Sequence, residues 1–560
     1  MDSRLARNDE AQERPQAGWN ASCPCRTQMI KSISWSRALR ATATTAIAVA
    51  LLTPIAPAPA LASRAESALI APQTTAKSKA KRPARRAKAP RRPAAPPRTS
   101  WTSPQGGPAL TADISNMLGS RVKGGKFGVM IVSLTRGDTL FAQNAGEMMQ
   151  PASTLKLFST AVALDRFGPE HSFSTDVLRD GTIGADGTVQ GNLYLRADGD
   201  PSMSARFFKD PNLPMATLAR SVAAAGVKKV TGDLVYDASA FDDRRIPEGW
   251  KAKNLGAAYA ARVSALSLNE NLVWIVVSPA GKVAQVTLEP VTTTIALRSN
   301  VRIVGGRRGR ISARRANDGG IDVNGTIGSM SGPLRYSLVV DDPALFTAGA
   351  LQGALQNVGI AVDGKVRPAR TPATATKVAS FASPPLSQIV SEMNRESINI
   401  VAELLYRDAG RAAAPDGMSS ADVGLANLRD FLGKKVGADP QAIRVYDGSG
   451  LSTLDYLTPR TMIQLLSYAH KGPWSSAFHG SLPVAGESEL LKRRMRGTPA
   501  EGNLHAKTGT TDTTVGLGGF VTAKDGEIVA FAFIYNGKDR WNAKATMDAM
   551  GATLANFVRE

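Results

Sequence analysis

Apolar and polar positions first fall into a β pattern at Lys126, where KFGVMIVSL and TLFAQN flank the turn residues TRGD. Arg136-Gly137-Asp138 between two such runs predicts a hairpin. The period then changes. QPASTLKLFSTAVALDRFG is apolar on most sides, with Pro151 at its opening and Gly168 at its close. That pattern predicts a buried helix. From about 175 to 345 short strand-like runs recur (GNLYLRA, KVTGDLVYD, NLVWIVVSP, QVTLEP, RYSLVV), separated by glycine and Asp/Asn turns. They predict one or two β-rich domains. After Asp342, PALFTAGALQGALQNVGI has helical spacing, and PLSQIVSEMNRESINIVAELLYRD gives two helical stretches around Arg395-Glu396-Ser397. The segments GNLHAKTGT and GLGGFVTAKDGEIVAFAFIYN are sheet-forming, with a tight-turn signal at Asp525-Gly526. A final helix places Met547, Met550, Leu554 and Phe557 on one face. The early hairpin, late strands and terminal helix belong together as one α+β domain split in sequence. Its parts are expected at 109–175 and 345–560, around a β-rich insert at 176–344.

The first hundred residues follow other rules. Lys31, Arg37 and Arg40 precede the apolar run ATATTAIAVALL, and Ala60-Leu61-Ala62 supplies a small-x-small site. This is the layout of a secretory signal peptide, expected over 1–62, with Met29 a candidate start. The run is shorter than the about 20 apolar residues of a membrane span. Both cysteines, Cys23 and Cys25, precede the cleavage site, so the exported chain would carry no thiol. Residues 63–108 form a tether. Its segment Lys77–Arg98 holds ten basic residues, no acid and several prolines, and is expected to stay extended.

Charge changes meaning once it is located. The chain of 560 residues has net charge +21, which naively suggests a nucleic-acid partner. Residues 1–62 hold +3 of it and 63–100 hold +10, leaving +8 for the remaining 460. An exported protein does not meet the genome, so no nucleic acid is expected. The basic tether instead fits an anionic membrane surface or cell-wall polymer, or serves as a solvated spacer.

Little cofactor chemistry is available. The four histidines, His171, His470, His479 and His505, form no pair with metal-ligand spacing. Neither a phosphate-binding loop nor a dinucleotide fingerprint occurs, so neither metal nor organic cofactor is expected. No Gly-x-Ser-x-Gly elbow marks a triad serine. What stands out is Ser153-Thr154-Leu155-Lys156 at the mouth of the buried helix. Residues three apart share a helix face, so Ser153 and Lys156 can meet as nucleophile and base. A lysine neutral at pH 7 must drop by about 3.4 from its usual value, roughly 4.6 kcal/mol. Burial and a neighbouring cation supply that together. The same spacing at Ser78-Lys81 and Ser120-Lys123 falls in the tether and in a glycine-flanked segment. Lys507-Thr508-Gly509 on an edge strand suits a carboxylate: the ammonium supplies charge, the hydroxyl a hydrogen bond, and glycine allows close approach. The backbone N–H of Thr510 can join that of Ser153 as an oxyanion hole. A Ser-x-Asn triplet able to bridge the two lysines occurs twice, at Ser397-Ile398-Asn399 and at Ser267-Leu268-Asn269.

In this order the three elements resemble the serine-active-site penicillin-binding proteins and β-lactamases. The surrounding text, MNRESINIVAELLYR, YDGSGLSTLDYLTP, SLPVAG, AKTGT and the upstream DGDPS, is similar to one subfamily. This is the D-alanyl-D-alanine carboxypeptidase/endopeptidase of the penicillin-binding protein 4 type, and the likeness runs from about Leu110 to the C-terminus. It implies a penicillin-binding/β-lactamase-like catalytic domain interrupted by inserted β-rich domains. It also implies that Ser153 is acylated, that Lys156 is its base, and that Ser397 and Asn399 form the second triplet rather than Ser267. Lys507, Thr508 and Gly509 would hold the substrate's terminal carboxylate. Ile398 stands where the family more usually has an amide or acid, and that side chain is expected to point away. The implied partners are peptidoglycan stem peptides and β-lactam antibiotics, in the periplasm or cell envelope. A β-lactamase and a non-catalytic wall-binding protein are the competing readings. The large insert argues against the first and the intact triplets against the second.

Overall fold

A computed structural model describes residues 100–412 and 420–560. The signal segment, both cysteines and residues 63–99 of the expected tether lie outside the described residues; the end of that tether is not extended, since Thr102 N donates to Thr553 Oγ1 and a helix begins at Gly107, so the boundary expected at 108 falls inside the folded domain. Helix α1 (Gly107–Ser120) precedes strands β1 (Lys126–Ser133) and β2 (Thr139–Gln143). Helix α2 (Lys156–Phe167) follows, and after a long excursion come α3 (Leu386–Glu396), α4 (Asn399–Arg411) and α5 (Pro459–Lys471). Strands β3 (His505–Thr510), β4 (Thr514–Thr522) and β5 (Ile528–Asn536) and helix α6 (Arg540–Ala555) complete the chain.

Residues distant in sequence share one antiparallel sheet, in the order β3-β4-β5-β1-β2. Its two faces follow from strand periodicity, since successive side chains point to opposite sides. Val129 and Ile131 of β1, with Phe531 and Phe533 of β5, share a core with Leu110 and Ile114 of α1 and Met547 and Met550 of α6. Met130, Ala530, Ala532 and Ile534 alternate with them and share the other core with Leu157, Phe158 and Met462. Register makes this consistent across strands: Val129 faces Phe533, and Ile131 faces Phe531. The expected turns are present, with Gly137 at φ 82° and Gly526 at φ 88°, a region open to glycine at no steric cost. Phe557 is buried in the first of these cores, but it lies just past the end of α6 rather than on it.

The insert is richer in helix than its sequence suggested. A five-stranded sheet (in order Val366–Pro368, Leu234–Asp237, Leu193–Ala197, Ser174–Arg179, Thr376–Ala382) and three three-stranded sheets carry its strands. Helices Leu213–Ala224 and Pro343–Asn357 bury Leu218, Val222, Phe346 and Leu351 in the same core as Val177, Leu195 and Val273. The boundary drawn at 344 therefore falls inside this body. Strand Thr376–Ala382 pairs antiparallel with Ser174–Arg179, so the chain leaves the insert near 382 and rejoins the other helices at α3.

Candidate active site

The turn that opens α2 has an unusual shape. Pro151 does not start the α-helix; a 3-10 turn spans Ala152–Leu155 and the α-helix begins at Lys156. Ala152 sits at φ 48°, a left-handed conformation that costs a non-glycine residue about 1 kcal/mol or more. The chain is held there from two sides by glycines. A β-carbon on Gly509 would lie 2.9 Å from the Pro151 oxygen and 3.0 Å from the Ser153 nitrogen. One on Gly450 would collide with the Ala152 carbonyl. Strand β3 and the loop 447–452 thus press directly on the backbone of Ser153.

Lys156 is fully buried and is the hub of the site. Its Nζ lies 3.0 Å from Ser153 Oγ, 2.7 Å from Asn399 Oδ1 and 2.8 Å from the Ser449 carbonyl oxygen. Two of these partners can only accept, whereas the serine hydroxyl can donate or accept. A neutral amine satisfies all three, donating to Asn399 and Ser449 and receiving the Ser153 proton on its lone pair. Burial lowers the Lys156 pKa to about 7, against the opposing pull of Asp447, Glu403 and Asp455. A base poised near neutrality is what proton removal from serine requires.

The second triplet is delivered by the break between two helices. Ser397 ends α3 at φ 59° and Asn399 is the first residue of α4. That kink separates their directions, so Asn399 reaches Lys156 while Ser397 Oγ accepts from Lys507 Nζ at 2.9 Å. Asn399 Nδ2 also donates to the Tyr259 carbonyl at 2.8 Å, which ties the insert to the site. Ile398 is 6% exposed and packs in the core shared with α2, so its side chain takes no part in the polar cluster. Ser267 and Asn269 are elsewhere: Ser267 bonds Asn271, and Asn269 bonds the Leu272 carbonyl, both within one turn of the insert.

Strand β3 is the edge of the sheet, where the sequence placed Lys507. Lys507 is fully buried, and its Nζ also donates to the Thr508 carbonyl at 3.0 Å. Burial, then the charge of Lys156, lowers its pKa well below that of a free lysine. Ser153, Ser397 and Thr510 line both of two adjoining cavities. The larger, of about 360 Å³, adds Asn399, Tyr259 and Lys251.

One part of the site carried no assignment in the sequence: the acids beneath Lys156. Asp447 accepts the backbone N–H groups of Ser449, Gly450, Leu451 and Ser452 at 2.6–3.0 Å, and Trp250 Nε1 at 2.7 Å. It thereby shapes the loop whose Ser449 carbonyl holds Lys156. Glu403, one turn along α4 from Asn399, accepts from Gly448 N at 3.0 Å, and burial pushes its pKa up to about 8. An acid followed by Gly-Ser-Gly-Leu-Ser was the available signal, since such a run lets several N–H groups converge on one carboxylate.

Comparison with known proteins came to the same place. The model of the D-Ala-D-Ala carboxypeptidase 3 (S13) family matches residues 110–557. A D-alanyl-D-alanine carboxypeptidase of Actinomadura sp. (strain R39) is 33% identical over 455 residues, covering 78% of this chain and 82% of the relative. A D-alanyl-D-alanine carboxypeptidase of Haemophilus influenzae is 25% identical over 438 residues, covering 76% and 88%. The crystal structure of penicillin binding protein 4 from Haemophilus influenzae superposes with TM-score 0.64 at 24% identity, covering 78% of this chain and 98% of that one, which bears out the α+β fold class with its interrupted domain.

Proposed function

The chain belongs to the D-Ala-D-Ala carboxypeptidase 3 (S13) family, and on that premise we propose that Ser153 is the nucleophile of a serine-type D-alanyl-D-alanine carboxypeptidase/endopeptidase acting on peptidoglycan stem peptides. The observation that carries this assignment is the contact of buried Lys156 Nζ with Ser153 Oγ and Asn399 Oδ1. Ser153 Oγ bonds to the carbonyl carbon of the penultimate D-alanine while Lys156 takes its proton. The oxyanion sits against the N–H groups of Ser153 and Thr510. Collapse breaks the C–N bond, and the leaving amine takes the proton that Lys156 received. Water then attacks the ester, Lys156 receives its proton and returns it to Ser153 Oγ as the ester C–O bond breaks, and the shortened peptide leaves. Lys507 and Thr508 hold the terminal carboxylate. β-Lactams, whose strained amide offers the same carbonyl, acylate the same serine.

The export reading belongs to the same proposal: the enzyme works in the periplasm or cell envelope, with the 77–98 segment as a basic leash to anionic lipid or wall polymer. Deleting 77–98 should weaken sacculus or membrane association and leave soluble-peptide turnover unchanged; lost turnover would contradict the leash. The decisive experiment for the enzyme compares D-alanine release from a pentapeptide by wild type and Ser153→Ala. Release confined to wild type is expected, and equal release from both would end the assignment.

A further inference from the structure

One small sheet of the insert is charged unevenly. Its middle strand, Ile321–Gly328, lies between Leu297–Val304 and Arg310–Arg315. Ile321, Val323 and Ile327 are buried in the insert's core, and Val301, Ile303, Ile311 and Ala313 pack against it. The alternate residues therefore point outward. Register sets Arg298, Asp322 and Arg314 in one outward row, and Arg302, Thr326 and Arg310 in another. Between Glu289 and Asp318 the chain carries seven arginines and no acid. At one end of the sheet they are neutralised. Arg298 pairs with Asp318 at 2.7 Å and Asp322 at 2.8 Å, Arg314 with Asp322 at 3.5 Å, and Arg315 with Asp341 at 2.9 Å. At the other end Arg302, Arg307, Arg308 and Arg310 are exposed, with no carboxylate in ion-pair distance among the described residues. Two apolar side chains stand out at that same end: Met330 is 65% exposed and Val304 39%. Val304 pairs with Gly328, and Met330 N donates to the Gly306 carbonyl at 2.9 Å, so both lie among the four arginines. An ordinary soluble surface intersperses charges of both signs, as the first end does.

We propose that this end of the insert docks on an anionic phospholipid surface, with Arg302, Arg307, Arg308 and Arg310 on headgroup phosphates and Met330 and Val304 at the boundary of the acyl chains. Guanidinium forks match phosphate oxygens, and a basic cluster is drawn to an anionic membrane surface. Apolar side chains beside such a cluster enter the layer just beneath the headgroups. A wall polymer would supply the negative charge but no apolar layer for Met330 and Val304, so the two side chains favour lipid. The surface is separate from the 77–98 leash and does not depend on the acyl-transfer chemistry.

The test uses the exported chain, from Ser63 onward, and vesicles of phosphatidylcholine with or without phosphatidylglycerol. Arg302→Gln, Arg307→Gln, Arg308→Gln and Arg310→Gln combined should weaken partition to the anionic vesicles by about a hundredfold. Met330→Ser should weaken it about fivefold. Both variants should release D-alanine from a soluble pentapeptide at the wild-type rate. A second measurement separates this surface from the leash. Met330→Cys, labelled with an environment-sensitive fluorophore, should shift its emission to the blue on anionic vesicles and not on neutral ones. Should the combined variant not fold, this reporter alone decides. Unchanged partition in the combined variant, or a silent reporter on vesicles that bind the protein, would overturn the inference. So would a silent reporter with tight binding of poly(glycerol phosphate) that the combined variant loses, which would assign the surface to a wall polymer.

Discussion

Two fully buried lysines meet at this site, and their surroundings differ in a way that assigns their work. Around Lys156 are three acids, Asp447, Glu403 and Asp455, whose pull opposes burial and leaves its pKa at about 7. Around Lys507 no such acid acts; burial and the charge of Lys156 both press its pKa down. Lys156 can gain and lose a proton near neutral pH, as a base must. Lys507 is a cation in waiting, whose charged form is favoured when an anion arrives beside it. Burial alone does not make a lysine a general base. Burial is the larger influence on both; the acids behind Lys156 temper it, and no such acid tempers it at Lys507.

Substitutions can break this contrast, beginning with the largest effect. Lys156→Met removes the proton acceptor of Ser153, and acylation measured with a fluorescent penicillin should fall by about 10⁴-fold or more. Lys507→Met removes the carboxylate's cation but not the base. Acylation should fall by about 10²-fold, with the effect far smaller on an ester substrate that lacks the carboxylate. Equal losses in the two variants would erase the division of labour. The mildest change sharpens the account. Glu403→Gln removes a charge that raises the Lys156 pKa, so the pH midpoint of acylation should move down. Because Glu403 is itself pushed up to about 8, it is largely protonated at neutral pH, and the shift should be less than about one pH unit. An upward shift would contradict the electrostatic assignment.

Both lysines were open to inference from sequence, but the acids around Lys156 were not. Ser153 and Lys156 lie three apart where a 3-10 turn passes into α2, and Lys507-Thr508-Gly509 lies on one strand, so local spacing was enough to pair each set. Asp447 and Glu403 act through space, from a loop and a helix that periodicity cannot bring together, and their influence depends on burial. The insert teaches the same lesson. Helix Pro343–Asn357 was legible from its spacing, but its packing partner was not, because Phe346 and Leu351 suit either core equally well. The strand Thr376–Ala382 has a weak alternation, TKVASFA, and is defined by its pairing with Ser174–Arg179, two hundred residues earlier. The sheet of the catalytic domain was clearer because β1 and β5 are apolar on both faces, as strands covered on both sides are.

The most direct test of the central claim, that neutral Lys156 takes the proton of Ser153, is the pH dependence of Ser153 acylation by a β-lactam in the wild-type enzyme. Since the neutral lysine is the active form and its pKa is about 7, the acylation rate constant should rise with pH and level off above a midpoint near that value. A rate unchanged between about pH 5 and 9, or a midpoint near the about 10.4 of an ordinary lysine, would contradict it.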